Sequence, residues 1–192
     1  MKPIDRSEIL PLGEYENVRD RFRNRVIGEK KLRRFSVGER VSGVFENRDT
    51  VLLQIQEMLR TERITRESAI AHEIGTYNEL VPGPNEVSAT LMIEIDDKAE
   101  RDAFLVAARG IERVFGIEVD GESFVSIVNP TRELEDRASA VMYLKFALSD
   151  AAVKKVSAGS ARVSMTVKHA AYEAATPLGE SAVKGLAEDF TG

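Results

Sequence analysis

The densest group of residues able to do chemistry is Glu46, Asn47 and Arg48, followed by Gln54, Gln56, Glu57 and Arg60. Carboxylate, amide and guanidinium groups in one set make either an internal hydrogen-bonded network or a site for an anion and an amide, because donors and acceptors are matched within it. Asn47-Arg48-Asp49-Thr50 opens the strongest helical pattern of the chain, with Val51, Leu52, Ile55, Met58 and Leu59 forming one apolar stripe and Asn47 or Asp49 available as cap. A helix there puts Gln54, Glu57 and Arg60 along one side, beside the buried stripe. Residue types alone leave both readings open. His169, with Tyr172 three residues on, either binds a ligand or ties the last predicted strand to the terminal segment.

Other chemical signatures fail on spacing. There is no phosphate loop, dinucleotide turn or nucleophile elbow. His72-Glu73 begins a zinc-protease pattern, but position 76 is Thr76, so the second ligand is missing. Glu94, Asp96 and Asp97 stand where a strand meets a helix, a place that suits magnesium; Asp97-Lys98-Ala99-Glu100 is equally a capping pattern, and no second acidic cluster accompanies it. No metal and no cofactor are expected.

The 192 residues contain no cysteine, which excludes disulfides, thiolate metal sites and cysteine nucleophiles. No apolar run approaches the length of a membrane helix, and Met1-Lys2-Pro3-Ile4-Asp5-Arg6 lacks the apolar block of a signal peptide, so a cytoplasmic protein with no membrane partner is expected. Charge is uneven: 15 basic and 11 acidic residues up to Arg66, against 12 and 21 from Glu67 onward. The basic excess centres on Arg19, Arg21, Arg23, Arg25, Lys30, Lys31, Arg33 and Arg34, on and just after a helix over Glu14–Lys31 with Tyr15, Val18, Phe22 and Val26 inward. That face is either solvated and salt-bridged or a surface for an anionic partner. The acidic pI of about 5.3 and the lack of interleaved aromatics weigh against nucleic acid.

The elements that must position these groups read as follows. A short hairpin spans Arg33–Phe45 around Val37-Gly38-Glu39, and a second helix from Arg66 to about Leu80, carrying Tyr77 inward, pairs with the first as a helical hairpin. Val81-Pro82-Gly83-Pro84-Asn85 breaks the chain into a helical N-terminal part (1–82) and an α+β sandwich (86–192), expected to form one compact unit. Strands are predicted over Glu86–Ile95, Arg113–Val119, Ser123–Val128, Val141–Leu148 and Ala161–His169. Helices are predicted over Asp97–Ala108, Ser149–Ser157 and Pro177–Asp189. Gly110-Ile111-Glu112-Arg113-Val114 echoes Gly159-Ser160-Ala161-Arg162-Val163, each after a helix, with the glycine as left-handed cap. Two strand–helix–strand units follow, and the expectation is an α+β fold with a mixed sheet of ferredoxin-like type.

The run from Phe45 through Ile64 resembles the signature of an uncharacterised bacterial family, a catalogued domain of unknown function (number three thousand five hundred and one). Tyr77-Asn78-Glu79-Leu80-Val81-Pro82, Ala89 through Glu94, and His169 through Tyr172 match its later blocks, with Ala170 where many relatives have proline. Tyr77, His169 and Tyr172 thereby join Glu46, Asn47, Arg48, Gln54, Glu57 and Arg60 as candidate binding residues. The resemblance implies gene neighbours of rubrerythrin-like di-iron and cysteine-rich iron–sulfur type. The expected function is a non-catalytic accessory or interaction protein of such a redox or oxidative-stress system, with a di-iron or iron–sulfur partner and possible homodimerisation. The alternative is a small-molecule-binding protein or enzyme using the 46–60 cluster.

Overall fold

The computed structural model describes residues 1–191. After a short 3-10 turn at Arg6–Glu8 come α1 (Leu12–Leu32), β1 (Arg34–Val37), β2 (Val41–Glu46), α2 (Arg48–Thr61) and α3 (Glu67–Asn78). Then follow β3 (Glu86–Ile93), α4 (Lys98–Ala107), β4 (Phe115–Val119), β5 (Glu122–Val125), β6 (Val141–Ala147), α5 (Asp150–Ser157), β7 (Val163–His169), β8 (Tyr172–Pro177) and α6 (Glu180–Thr191). The fold is α+β.

The strands pair differently from one mixed sheet. They form two four-stranded sheets, β1-β2-β3-β6 and β5-β4-β7-β8, in which every pairing is antiparallel. Each predicted strand–helix–strand unit exists, but β3-α4-β4 and β6-α5-β7 both cross from the first sheet to the second. The ferredoxin-like arrangement is corrected on this point, and the reason lies in area. Helix α4 buries only Phe104 and Leu105, and α5 only Ala152 and Val156, too little to cover a wide sheet. The strands instead carry one apolar face each, and those faces close on each other: Val87, Ala89 and Leu91 of β3 and Met142, Leu144 and Phe146 of β6 share a core with Phe115, Ile117 and Val119 of β4 and Val163, Met165 and Val167 of β7.

The two capping glycines behave as their echo predicts. Gly110 (φ 79°) and Gly159 (φ 69°) are both left-handed. Strand β8 was not foreseen. Tyr-Glu-Ala-Ala-Thr-Pro has few β-forming residues, yet its full pairing with β7 and its outer position make it an edge strand.

The seams between the sheets are closed by specific bonds. At one, Ile127 and Lys145 exchange backbone hydrogen bonds (2.7 and 3.2 Å). At the other, the Tyr172 hydroxyl donates to Val37 O (2.7 Å) and accepts from Arg40 N (3.0 Å), and Gly38 N donates to Thr176 Oγ1 (3.0 Å). Gly38 is left-handed (φ +67°), and a Cβ there would stand 2.3 Å from the Tyr172 hydroxyl. Gly38→Ala is therefore expected to cost about 1–2 kcal/mol, read as a lower urea midpoint with an unchanged slope.

Helices α2 and α3 and the N-terminal strap (residues 1–11) cover the outer face of the first sheet. Their own core joins Ile4 and Ile9 to Val51, Ile55, Leu59, Ile70 and Ile74, with Tyr143 of β6 packed against it. The expected boundary at Val81–Asn85 is the turn from this layer into β3, while β1 and β2 lie across it in the sheet. No described helix is long and apolar enough to cross a membrane.

Candidate functional site

Six of the nine candidate residues lie on α2 or at its start, and the structure gives each except Gln54 an intramolecular partner. Asn47 caps α2: its Oδ1 accepts from Thr50 N (2.9 Å), and Asn47 N donates to Thr50 Oγ1 (2.9 Å). This is a reciprocal box closed by threonine in place of the usual glutamate. Glu46, almost wholly buried at the end of β2, accepts from the Thr50 hydroxyl and from Thr90 Oγ1 (2.7 Å), with Lys30 Nζ at 3.9 Å. A carboxylate so buried is tolerable only with such donors.

The remaining groups reach outward to other elements. Arg48 Nη2 donates to both carboxylate oxygens of Glu8, and its Nε donates to Lys2 O (3.0 Å). Glu57 accepts both arms of Arg19 (2.8 Å each) and the Tyr15 hydroxyl (2.7 Å). Arg60 Nε donates to Glu16 (2.7 Å). Gln54 alone keeps a buried Nε2 without a hydrogen-bond partner. The Arg19 guanidinium holds the Glu57 carboxyl below the usual carboxylate range, burial works against it, and the Tyr15 hydroxyl assists. Burial, then Glu57, pushes the Tyr15 phenol well above its ordinary value. Arg48 likewise holds Glu8 low, and the Asp5 backbone assists.

The arrangement is a clamp. Helix α2 holds α1 through Glu57 and Arg60, and it holds the strap through Arg48 and through Gln56, whose amide accepts from Leu10 N (2.7 Å) and donates to Leu10 O (3.3 Å). Asn78 of α3 repeats that device on Ile4 (2.8 and 2.9 Å). A deeper branch runs from Asn47 to Glu29 and on to Arg33, which forks onto Asp189 of α6 (2.6 and 2.7 Å).

The other three candidates lie apart from α2. Tyr77 packs in the core between α2, α3 and the strap. His169 closes the β7–β8 turn: its Nδ1 accepts from Ala171 N (3.1 Å), which leaves Nε2 to donate to Arg109 O (3.1 Å). Tyr172 belongs to the β1–β8 seam. Two of the carboxylates at the end of β3 are also occupied, with Asp97 capping α4 through Glu100 N (2.7 Å) and Glu94 accepting from Ser42. Among the described residues no group of three histidines or carboxylates is placed to hold a metal ion.

Sequence reasoning set Thr50 and Gln56 in the same segment but not among the site residues, and it missed Tyr15, Asn78 and Asp189 as partners. Only Thr50 offered a local signal, three residues after the cap. Missed too was the groove above the clamp, a cavity of about 370 Å³ whose apolar walls are Leu10, Val18, Phe22 and Leu52. Arg21 and Arg25 stand in its lining, with Arg25 bonded to Asp49 and laid over the Phe22 ring (5.3 Å). The exposed Arg23 lies on the same helix.

The family model described as a protein of unknown function, DUF3501, matches residues 3–190. A crystal structure of a protein of unknown function from Burkholderia pseudomallei is 34% identical, with a TM-score of 0.91 over 98% of this chain and 99% of that one. No curated protein matches the chain.

Proposed function

The chain belongs to the DUF3501 family, and from that premise and the geometry above we propose that it is a non-catalytic interaction protein that docks an acidic, amphipathic segment of a partner. The carrying observation is the groove between the strap, α1 and α2. It offers Leu10, Val18, Phe22 and Leu52 as apolar floor, with Arg21 of α1 and the Asp49-bonded Arg25 in its lining. Apolar anchors in such a groove with guanidinium groups at its rim suit carboxylates flanking a hydrophobic stripe. The clamp supports the same reading, because Arg48, Glu57 and Arg60, which could have served a reaction, are spent on holding α1 and the strap in place.

The partner belongs, in this proposal, to a cytoplasmic rubrerythrin-like or iron–sulfur redox system. That part rests on the family resemblance, and any electron-carrying centre is the partner's. A second copy of this chain is the alternative occupant. The test is native mass spectrometry of the tagged protein purified anaerobically from its own organism, beside the charge reversal Arg21→Glu with Arg23→Glu. The proposal predicts a partner at fixed stoichiometry, lost in the variant while the melting temperature is held. A partner retained by the variant, a mass of two identical chains, or a small-molecule adduct on a bare monomer would each overturn it. The last would favour the alternative of a ligand-binding protein or enzyme.

A further inference from the structure

A second cavity, away from the α1–α2 groove, contains a carboxylate that the fold does not explain. Glu112 lies in the short 3-10 turn Ile111–Arg113 that leads into β4, and it is 4% exposed. Its Oε2 is buried with no hydrogen-bond partner. The cavity it lines, about 260 Å³, runs along the outer edge of β6, with Val128, Val141, Met142 and Leu144 as apolar wall. Glu133 also lines it, but that carboxylate is held by both arms of Arg113 (2.6 Å each).

The turn itself does not need an acid. In the echoed pentad the position of Glu112 is taken by Ala161, and the left-handed glycine and following strand form there just as well. Leaving a carboxylate oxygen buried without a donor carries a large desolvation cost, and among the described residues none donates to this one, the neighbouring Arg113 acting on it only through space, so the place calls for a donor from outside the chain. One uncommitted carboxylate is too few for a metal ion, whereas a single ammonium needs one strong acceptor and tolerates an alkyl wall around its body.

We propose that this cavity binds the ammonium group of a small organic amine, with Glu112 as its counter-ion. The apolar residues of β6 and Val128 take the carbon chain, and the volume limits the ligand to a few carbons. An adjoining cavity of about 330 Å³ shares Val128, Tyr143 and Leu144. It is lined by Ser88, 1% exposed, whose Oγ also has no partner, and this gives a polar atom for the far end of a longer amine. The site is independent of the partner groove.

The test is a titration of isotope-labelled protein with n-butylammonium chloride, followed by backbone amide shifts, with 1-butanol and potassium chloride as controls. Saturable shifts confined to the neighbourhood of Glu112, Val128 and Met142 are expected with butylammonium only. Glu112→Gln is expected to fold, since it removes an unpartnered buried charge, and to weaken binding by about tenfold or more. Equal shifts with butanol would reduce the site to an apolar void. Shifts that survive Glu112→Gln, or no saturation at tens of millimolar, would also overturn the proposal. Should the variant not fold, the contrast between butylammonium and butanol on the unaltered protein decides alone.

Discussion

Arg33→Ala is expected to lower the melting temperature by roughly 6–20 °C, the largest effect of any single substitution in the clamp. Arg33 is 4% exposed and forks onto Asp189, with Glu29 at 3.2 Å, so its removal strands the partly buried Asp189 carboxylate and leaves Glu29 with Asn47 alone. Breaking a buried pair from one side costs about 3–5 kcal/mol, and each kcal/mol moves the midpoint of a chain this long by about 2–4 °C. The directions of the two pKa shifts say where the burden falls. Burial lifts the Asp189 carboxyl above its ordinary range and outweighs the help of Arg33. Burial acts against the charged Arg33, but Asp189 and Glu29 outweigh it and the guanidinium is held more firmly protonated. An acid with a raised folded pKa contributes stability below its unfolded value and loses that contribution as pH rises through the folded one. At neutral pH, then, ionised Asp189 depends on Arg33. Thermal unfolding followed by circular dichroism should show the double replacement Arg33→Met, Asp189→Leu recovering most of the loss, because the stranded charge goes with its partner.

Glu57→Ala is expected to cost about 2–3 kcal/mol, since it leaves the wholly buried Tyr15 hydroxyl without its acceptor and frees Arg19. The sign of its pH dependence follows from the depressed carboxyl. A group whose folded pKa lies below the unfolded value contributes stability above the unfolded value and loses it as pH falls through the folded one. The gap between the parent protein and Glu57→Ala should therefore be full at neutral pH and shrink below about pH 4.3. Urea unfolding at a series of pH values measures it, and a gap that stays constant into acid would show that Glu57 acts through packing rather than charge.

What could be read in the sequence was what is local. The Asn47 cap, the stripe from Val51 to Leu59, the Asp97 cap and the two left-handed glycines all depend on neighbours within a few residues, and all appear in the structure. The sheet arrangement did not, because antiparallel pairing of β3 with β6 and β4 with β7 joins segments that no periodicity links. The Arg33–Asp189 pair spans 156 positions, and either residue alone reads as surface charge. Glu112 is the same case in reverse: Ile111-Glu112-Arg113 has the pattern of an exposed turn, and only the cover of β6 and the segment around Val128 buries it. For the 46–60 cluster, composition was legible and partners were not. Tyr15, Glu16 and Arg19 come from α1, a helix that no local pattern ties to α2.

In this proposal the clamp builds α1 and the strap into a groove for an acidic partner. Val18, 39% exposed and on the apolar wall of that groove, is the place to test it. A photoreactive phenylalanine analogue at position 18, activated in a lysate of the source organism, should cross-link to one protein through a segment rich in aspartate and glutamate, and potassium chloride at high concentration during irradiation should prevent the cross-link. Cross-linking to a second copy of the chain, or salt-resistant cross-links spread over many proteins, would contradict it.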